Sequence, residues 1–397
     1  MPFEILETET QGTVIKVIGV GGAGGNAVEH MIRRGVQGVE FICANTDHQA
    51  LSRSSARNVI QLGRTGLGAG SRPDVGRQAA EEARDRIADA LRGAHMVFIT
   101  AGMGGGTGTG AAPVVAEIAK ELGVLTVAVV SKPFDFEGPK RAKVAEQGLV
   151  DLQDHVHSLI VILNNKLEEV LGEDAEMADC FQAADDVLHN ACAGIAEIIN
   201  IPGLVNVDFE DVKTVMGEHG KAMMGTATAA GTDRARVAAE QAVASPLLEG
   251  VDLSGARGVL VNITASPSLK MRETREVMNT IREFAAEDAT VIFGTVSDEA
   301  IGDGLRVTVV ATGLGKAAAP AAKKVPLTVL RTATDNGVAV VGSTSPAPAH
   351  AADHEYRHLE APAVWRQRDG AALRAAVIDE HAAERLDIPA FLRKQAD

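Results

Sequence analysis

The chain has 397 residues, of which 46% are hydrophobic and 23% charged, and it contains three cysteines. This composition is typical of a globular protein with room for two domains and a tail, and no apolar run reaches the roughly 18 residues of a membrane span. The net charge of −15 argues against a nucleic-acid partner, and three cysteines without CxxC spacing favour buried thiols in a reducing cytoplasm over disulfides or a metal site.

The first half of the chain alternates apolar strands with amphipathic helices. Strands that are apolar along their whole length are buried on both faces, and their alternation with helices is typical of a parallel sheet covered on both sides. The pattern predicts an α/β, Rossmann-like domain over 13–200, after a short N-terminal extension at 1–12. The strand candidates are 13–20, 39–45, 58–62, 95–100, 124–131 and 158–163, and helix-length stretches lie at 73–91, 110–121 and 138–154.

A long helix and a smaller domain follow. The helical pattern at about 178–200 ends at IPG and precedes a block with further helices near 232–244 and 269–286. We therefore predict an α+β domain over 201–316 that docks through the long helix. Strand candidates in this block lie at 258–264, 290–297 and 305–313.

The composition changes again in the last part of the chain. Residues 317–383 lack sustained periodicity and are rich in Ala and Pro, which predicts a disordered linker. In 384–397 apolar residues return at helical spacing behind Asp387, a possible N-cap. Both a frayed chain end and a peptide that folds into a partner's groove fit this pattern, and we predict the second. Its candidate partner-binding residues are Asp387, Ile388, Pro389, Phe391, Leu392, Arg393 and Lys394.

Two glycine-rich segments each join a strand to a helix. Residues 101–112, AGMGGGTGTGAA, follow one strand candidate, and residues 17–27, VIGVGGAGGNA, open a helix after the first strand. Free backbone N–H groups and the positive end of a helix dipole suit a phosphate group. We therefore predict an anion site at these segments rather than a flexible linker.

The earlier segment by itself also fits a nicotinamide-binding dehydrogenase. It contains a GxGxxG pattern, and Glu40 or Asp47 could supply the acidic contact to the ribose. The second glycine segment instead favours a compact ligand whose phosphates are gripped from two sides. The sequence has no GxxxxGK[ST], which excludes a Walker-type P-loop.

Further motifs connect the chain to one family. GGGTGTG is similar to the tubulin signature, and the chain resembles the tubulin/FtsZ family through 13–316 and again in the tail peptide. The resemblance implies a GTPase that polymerises head-to-tail into filaments of the bacterial division ring, with GTP or GDP and Mg²⁺ as ligands. A dehydrogenase, or a tubulin-like module without turnover, stays an alternative. The matching motifs are GVGGAGGNAV (19–28), NTDHQAL (45–51), GLGAG (66–70), GGGTGTG (104–110), PFDFEG (133–138) and NVDFEDV (206–212).

The resemblance also assigns a nucleotide site. It implies contacts to the α- and β-phosphates from Gly22, Ala23, Gly24, Gly25 and Asn26, with Ala23 standing where many members have glycine. It implies contacts to the β- and γ-phosphates from Gly104, Gly105, Gly106, Thr107, Gly108 and Thr109. It implies that Ala69 and Gly70 lie in a loop that senses the γ-phosphate, and that Glu137 and Arg141 contact the ribose and phosphate side. Guanine would be held by Asn164, Phe181 and Asp185. From the residues alone, Phe181 would be a core residue and Asp185 would lie on a helix surface.

The segment NVDFEDVKTVM begins a helix and carries an acidic pair. From the sequence alone, Asp208 and Asp211 are a helix N-cap and its capping-box partner. The resemblance implies a second role, in which both carboxylates orient the water that attacks the γ-phosphate of a nucleotide held by the adjacent subunit. No residue is assigned as a metal ligand, because Mg²⁺ is expected on the nucleotide phosphates.

The resemblance also implies partners and a location. The chain would assemble with itself, and its tail peptide would bind membrane-tethering and regulatory division proteins at the midcell division ring. Neither direct membrane insertion nor nucleic-acid binding is expected. The N-terminal residues MPFEILETET lack the basic and apolar regions of a signal peptide, which predicts a cytoplasmic protein.

Overall fold

A computed structural model describes residues 12–314, apart from 173, 202, 219, 246–255 and 287. In that part the strands are Ile15–Val20 (β1), Val39–Asn45 (β2), Asn58–Gln61 (β3), Met96–Gly102 (β4), Leu125–Lys132 (β5), Ser158–Leu163 (β6), Gly220–Ala230 (β7), Gly258–Ala265 (β8), Thr290–Ser297 (β9) and Gly304–Leu314 (β10). The helices are Gly21–Arg34 (α1), His48–Ser52 (α2), Pro73–Glu81 (α3), Arg84–Leu91 (α4), Thr107–Glu121 (α5), Pro139–Gln153 (α6), Asn164–Leu171 (α7), Met177–Asn200 (α8), Phe209–Met216 (α9), Arg234–Val243 (α10) and Met271–Phe284 (α11). None of these helices is long and apolar enough to cross a membrane.

The two ends of the chain lie outside the described residues. These ends include the predicted linker at 317–383 and the tail peptide at 384–397, with all of its candidate partner-binding residues. They also include the predicted N-terminal extension, except for its last residue, Gly12. The sequence-based statements about these segments therefore stay predictions.

The named strands form one sheet in the order β3-β2-β1-β4-β5-β6-β7-β10-β8-β9. From β3 to β7 neighbouring strands are parallel, whereas β10 is antiparallel to both β7 and β8. The parallel half and the C-terminal half meet where β6 pairs with β7 over a short stretch that begins at Ser158 and Gly220. The predicted fold class, a Rossmann-like α/β half with a smaller mixed half, is confirmed in the described part of the chain.

Helices cover both faces of the parallel half. Successive residues of β1 point to opposite faces, so Val17 packs in a cluster with α1 and α8, while Ile18 packs in another with α3, α4 and α5. A third cluster lies between the C-terminal strands and the helices α10 and α11. Cys43, Cys180 and Cys192 are all buried, which confirms the prediction of buried thiols.

The 24-residue helix α8 connects the two halves. Midway along the helix, Leu188 is buried with the strands of the parallel half. Farther along, Asn262 of β8 donates a hydrogen bond to the Gly194 carbonyl at 3.0 Å, and Arg306 of β10 pairs with Glu197 at 3.2 Å. At 1.5 Å per residue the helix is about 36 Å long. It therefore packs against the parallel half and is also bonded to strands of the C-terminal half.

Some local predictions are wrong. The helix predicted over 73–91 is two helices, α3 and α4, separated by a turn at Glu82 and Ala83. The helix predicted to begin at residue 110 begins at Thr107. Gly108 and Gly110, the last glycines of GGGTGTG (104–110, the signature segment), are therefore helical. The strand β7 and the short helices α2 and α7 have no counterpart among the predicted elements. For β7 the reason is its sequence, GKAMMGTATAA, whose small residues give no run of large apolar side chains.

Candidate functional site

A cleft of about 470 Å³ opens at the carboxyl ends of β1, β4 and β5. This is the edge of an open α/β sheet where ligands bind, beside the point at which the strand order reverses. Its walls come from both glycine-rich segments and from the first turns of α8. The lining residues are Gly22, Ala23, Asn26, Ser71, Gly102, Met103, Gly105, Gly106, Thr107, Gly108, Ser131, Lys132, Pro133, Glu137, Arg141, Asn164, Phe181, Ala184, Asp185 and Leu188.

The two glycine-rich segments pack directly against each other at the floor of the cleft. A Cβ on Gly21, whose φ is +76°, would lie 2.9 Å from the backbone nitrogen of Gly108. A Cβ on Gly102 would lie 2.6 Å from the Cβ of Ala23 in the other segment. Side chains at these positions would push the two segments apart, and glycine lets the two helices begin close together. The amino ends of α1 and α5 therefore converge on one cleft, where their backbone N–H groups favour a negatively charged ligand.

The signature segment is held by side-chain hydroxyls. The backbone N–H of Gly104 donates to Oγ1 of Thr109 at 2.9 Å inside the protein. Oγ1 of Thr107, which lines the cleft, lies 2.6 Å from Oγ1 of Thr46. These contacts tie the loop before α5 to the helix itself and to the segment after β2.

An aromatic ring and a buried amide also line the cleft. Phe181 is 43% exposed, and its ring packs edge-on against the buried ring of Phe134, with centroids 5.2 Å apart. Asn164 is only 5% exposed, and its Oδ1 is one of three buried side-chain oxygens in the described residues without a hydrogen-bond partner. An exposed ring face and an unsatisfied amide in one cleft suit a flat, polar, ring-shaped ligand. The interpretation of Phe181 as a core residue is wrong.

Asp185 lies on α8 one turn after Phe181 and also lines the cleft. Burial raises the pKa of Asp185 to about 6, although His30 and Arg33 on α1 act in the opposite direction. The following residue, Asp186, ties α8 to α1, because its Oδ1 lies 2.8 Å from Nε2 of His30 and 2.7 Å from Arg34. Asp185 is half-buried in the cleft wall, so the interpretation of this residue as simple helix surface is wrong.

Glu137 and Arg141 form the third side of the cleft. They are an ion pair across the start of α6. Glu137 also accepts a hydrogen bond from the backbone N–H of Phe134 at 3.0 Å, which closes the turn of the PFDFEG motif. The guanidinium is thereby held at the cleft edge, where a positive charge suits an anionic ligand.

Six residues of the implied site do not line the cleft. Gly24 is a buried residue of α1, where its carbonyl accepts a hydrogen bond from the Thr100 hydroxyl at 3.3 Å, and Gly25 lines a neighbouring cavity of about 190 Å³. In the loop at 66–70, Ala69 is buried and Gly70 is exposed, and the next residue, Ser71, reaches the cleft instead. The remaining two are Gly104 and Thr109, which bond to each other.

Sequence reasoning missed the residues that the cleft takes from the end of β5. Ser131 and Lys132 line it, followed by Pro133, the first residue of the PFDFEG motif. A signal for them exists in the sequence, because the carboxyl ends of parallel strands meet at the ligand edge of the sheet. No comparable signal marks Ser71, whose position depends on how its loop folds back.

The acidic pair lies far from this cleft. Asp208 is the N-cap of α9, and its side chain accepts the backbone N–H of Asp211 at 2.8 Å. The next residue, Phe209, packs edge-on against His95, which precedes the amino end of β4. The cleft is at the carboxyl end of that strand, about 20 Å away at roughly 3.3 Å per residue. One subunit therefore cannot bring its own acidic pair to its own cleft.

Comparisons with known proteins agree in sequence and in fold. The tubulin/FtsZ family GTPase domain matches residues 14–172, and the FtsZ family C-terminal domain matches residues 220–315. The cell division protein FtsZ of Pseudomonas aeruginosa is 55% identical over 400 residues, with 100% of both chains covered. That of Coxiella burnetii is 54% identical over 398 residues, with 99% of both chains covered.

Solved structures give the same result. A dimer of FtsZ from M. jannaschii, described as empty, superposes with a TM-score of 0.73 at 42% identity and covers 77% of this chain and 89% of that chain. A GTPγS-bound protofilament of CetZ2 from Haloferax volcanii superposes with a TM-score of 0.64 and covers 77% of this chain and 94% of that chain. At 20% identity the second likeness concerns the fold alone.

Proposed function

The chain belongs to the tubulin/FtsZ family, in the FtsZ branch of filament-forming cell-division GTPases, and we propose that its cleft binds the nucleotide and that a neighbouring subunit completes hydrolysis. The dehydrogenase alternative is set aside by this membership. Glu40, one of its two candidate ribose contacts, is instead paired with Lys16 at 3.3 Å.

We assign the phosphates to the floor of the cleft. The converging starts of α1 and α5 supply backbone N–H groups, and Arg141 adds a positive charge at the edge. Two helix N-termini and a guanidinium neutralise a polyphosphate better than a single glycine turn can. Mg²⁺ is proposed on the phosphates, because the Thr107 hydroxyl and the Asn26 amide are oxygen donors of the kind that Mg²⁺ accepts beside phosphate oxygens. When bound, it neutralises the charge that develops on the transferred phosphoryl group.

We assign the base to the part of the cleft that Phe181, Asn164 and Asp185 line. The Phe181 ring offers a face for stacking, and the unsatisfied Oδ1 of Asn164 offers an acceptor. The Asp185 carboxylate would accept from the guanine ring N–H and the 2-amino group. Adenine lacks this pair of donors and would leave a half-buried carboxylate unpaired, so the arrangement favours guanine.

The proposal of a shared site rests on the position of the acidic pair relative to the cleft. Asp208 and Asp211 are exposed at the amino end of the parallel strands, whereas the cleft lies at their carboxyl end. Head-to-tail stacking would bring the acidic pair of one subunit over the cleft of the next, and such an interface builds a filament when it does not close. There the carboxylates would orient a water for in-line attack on the γ-phosphorus, with GDP as the leaving group.

Exposed apolar side chains support this mode of stacking. Leu67 is 89% exposed on the loop that packs beside the cleft, and Leu204 is 79% exposed shortly before the acidic pair. Phe136, in the PFDFEG motif at the cleft edge, is 60% exposed. Large apolar side chains exposed at both ends of one molecule are typical of a surface that is buried in an assembly.

A dilution series tests the shared site. GTP turnover per molecule and light scattering would be measured on the same samples over a wide range of protein concentration. We expect turnover per molecule near zero below the assembly threshold and a steep rise above it. Constant turnover per molecule at concentrations where scattering shows no polymer would refute the shared site and leave a self-contained GTPase.

We also propose that the tail peptide at 384–397 recruits membrane-tethering and regulatory division proteins to the midcell ring. The support is the sequence pattern of apolar residues at helical spacing behind Asp387. Deletion of 384–397 should leave GTP-driven assembly unchanged and abolish recruitment to vesicles coated with a tether. Equal recruitment of the full and truncated chains would contradict this role.

A further inference from the structure

The segment that follows β2 touches the signature segment through a pair of hydroxyls. Thr46, directly after β2, is 4% exposed, and its Oγ1 lies 2.6 Å from Oγ1 of Thr107. Thr107 lines the cleft at the first residue of α5. Since each hydroxyl has one donor and two acceptor positions, a 2.6 Å contact requires one threonine to donate and the other to accept.

The backbone around Thr46 is joined to a second loop. The Thr46 carbonyl accepts a hydrogen bond from the N–H of Gly68 at 3.2 Å, and the N–H of His48 donates to the carbonyl of Gly66 at 3.0 Å. Between these two bonds, Leu67 forms an isolated antiparallel bridge with the residue that follows Thr46. The loop that carries the 89% exposed Leu67 is therefore attached to the backbone of Thr46.

The far side of the same loop reaches the cleft. Ser71 lines it with a φ of +58°, the one positive φ of a non-glycine residue in the described part of the chain. A Cβ on Gly106 would lie 2.8 Å from the backbone nitrogen of Arg72, so the loop and the signature segment are in close contact. Left-handed backbone at a non-glycine residue is costly, and such strain is found at ligand sites and switches.

We propose that Thr46 is a positioning residue that couples the γ-phosphate to the exposed loop around Leu67, an inference that rests on the proposed nucleotide site and head-to-tail assembly. A phosphate oxygen that accepts from the Thr107 hydroxyl leaves the Thr107 oxygen to accept from Thr46. Without that phosphate, either threonine can donate. The γ-phosphate thereby sets the direction of the hydrogen-bond chain and strengthens it. Thr46 then holds the Leu67 loop in the position in which it meets the next subunit.

The test distinguishes the effect of losing the Thr46 hydroxyl from the effect of changing the shape of the side chain. Thr46→Val removes the hydroxyl and keeps the volume, and Thr46→Ser keeps the hydroxyl. Thr226→Val is a matched control, because Thr226 and Thr308 form another hydroxyl pair, 3.1 Å apart, between β7 and β10. For each variant we would measure GTP and GDP affinity below the assembly threshold with a fluorescent nucleotide, and the GTP-dependent threshold by pelleting.

We expect Thr46→Val to bind both nucleotides within about threefold of wild type while its assembly threshold rises about five- to tenfold, the size of one lost hydrogen bond. Thr46→Ser should restore the threshold, and Thr226→Val should leave it unchanged. An unchanged threshold in Thr46→Val, or an equal rise in Thr226→Val, would overturn the proposal. If the wild-type chain itself shows no GTP-dependent pelleting, the proposed function fails instead.

A second measurement needs no variant. The amide proton of Gly68, which donates to the Thr46 carbonyl, should exchange more slowly with GTPγS than with GDP below the assembly threshold. Equal exchange in the two states would also overturn the coupling, whatever the fate of the Thr46→Val protein.

Discussion

Asp208 accepts a hydrogen bond from the backbone N–H of Asp211 at 2.8 Å, so the proposed catalytic pair is also the N-terminal cap of α9. The bond uses the side chain of Asp208 and only the backbone of Asp211. The two carboxylates are therefore unequal in the fold, although they are proposed to share one role in hydrolysis.

This inequality separates the effects of the two alanine substitutions. Asp208→Ala should lower the free energy of unfolding by about 0.5–2 kcal/mol through loss of the cap, whereas Asp211→Ala should change it by no more than about 0.5 kcal/mol. Both variants should keep GTP binding and lose most hydrolysis. Denaturant unfolding, nucleotide binding and phosphate release on the same preparations check this. Wild-type turnover in Asp211→Ala would leave the pair with a structural role only.

Mixing two inactive proteins should restore activity if the site is shared. Asp211→Ala keeps an intact cleft, and Asp185→Ala keeps an intact acidic pair but should bind GTP weakly. In a mixed filament some junctions place the intact pair over the intact cleft. Turnover should therefore appear in the mixture at GTP concentrations where each protein alone is inactive, as measured by phosphate release. A mixture no more active than the sum of its parts, while it still pellets with GTP, would argue against hydrolysis across subunits.

Nucleotide affinity should depend on the ionisation of Asp185. Because burial raises its pKa to about 6, the carboxylate that would accept from guanine is present above pH 6 and is lost as the pH falls. One unit below the pKa, the affinity should be about tenfold lower than at neutral pH. Asp185→Asn, which has no titrating group, is the control for protonation of the nucleotide itself. Equal pH profiles for the two proteins would exclude Asp185 as the titrating group.

Ionisation of Asp185 should also affect the free energy of unfolding, but in the opposite direction: acidification weakens nucleotide binding and stabilises the nucleotide-free fold. The folded pKa of Asp185 is higher than the ordinary value of 3.8, so the folded chain binds the proton more tightly than the unfolded chain does. The stabilisation is fully present below about pH 4 and is lost as the pH rises through 6. Relative to Asp185→Asn, the nucleotide-free wild type should thus become more stable on acidification from pH 7 to pH 5. Urea unfolding of both proteins at the two pH values measures this difference.

Two neighbouring glycines should respond differently to alanine. A Cβ on Gly106 would lie 2.8 Å from the Arg72 nitrogen and 2.9 Å from the Ala69 side chain, whereas a Cβ on Gly105 would meet nothing within 4 Å. Gly106→Ala should therefore lower the free energy of unfolding by about 1–3 kcal/mol through overpacking. Gly105→Ala should leave it within about 0.5 kcal/mol. Equal losses in urea unfolding without nucleotide would mean that the close contact at Gly106 does not determine stability.

The sequence alone was enough to predict the fold class and the site segments. Runs of apolar residues such as those of β1 and β4 are local signals, because a strand buried on both faces needs apolar side chains at successive positions. Glycine-rich segments between a strand and a helix are local signals as well. Both features are properties of short stretches of chain, so they can be recognised without knowledge of what packs against them.

Contacts between distant segments were decided by the tertiary structure. Phe181 is exposed because the ring of Phe134, 47 positions earlier in the chain, supports it from one side only. β7 becomes a strand because β6 and β10 offer it hydrogen-bond partners on both edges. The tie between Thr46 and Thr107 joins residues 61 positions apart. The separation of Asp208 from the cleft also depends on where α8 directs the chain after it leaves the parallel sheet. Such relationships arise when the folded backbone brings remote residues together, and no local periodicity encodes them.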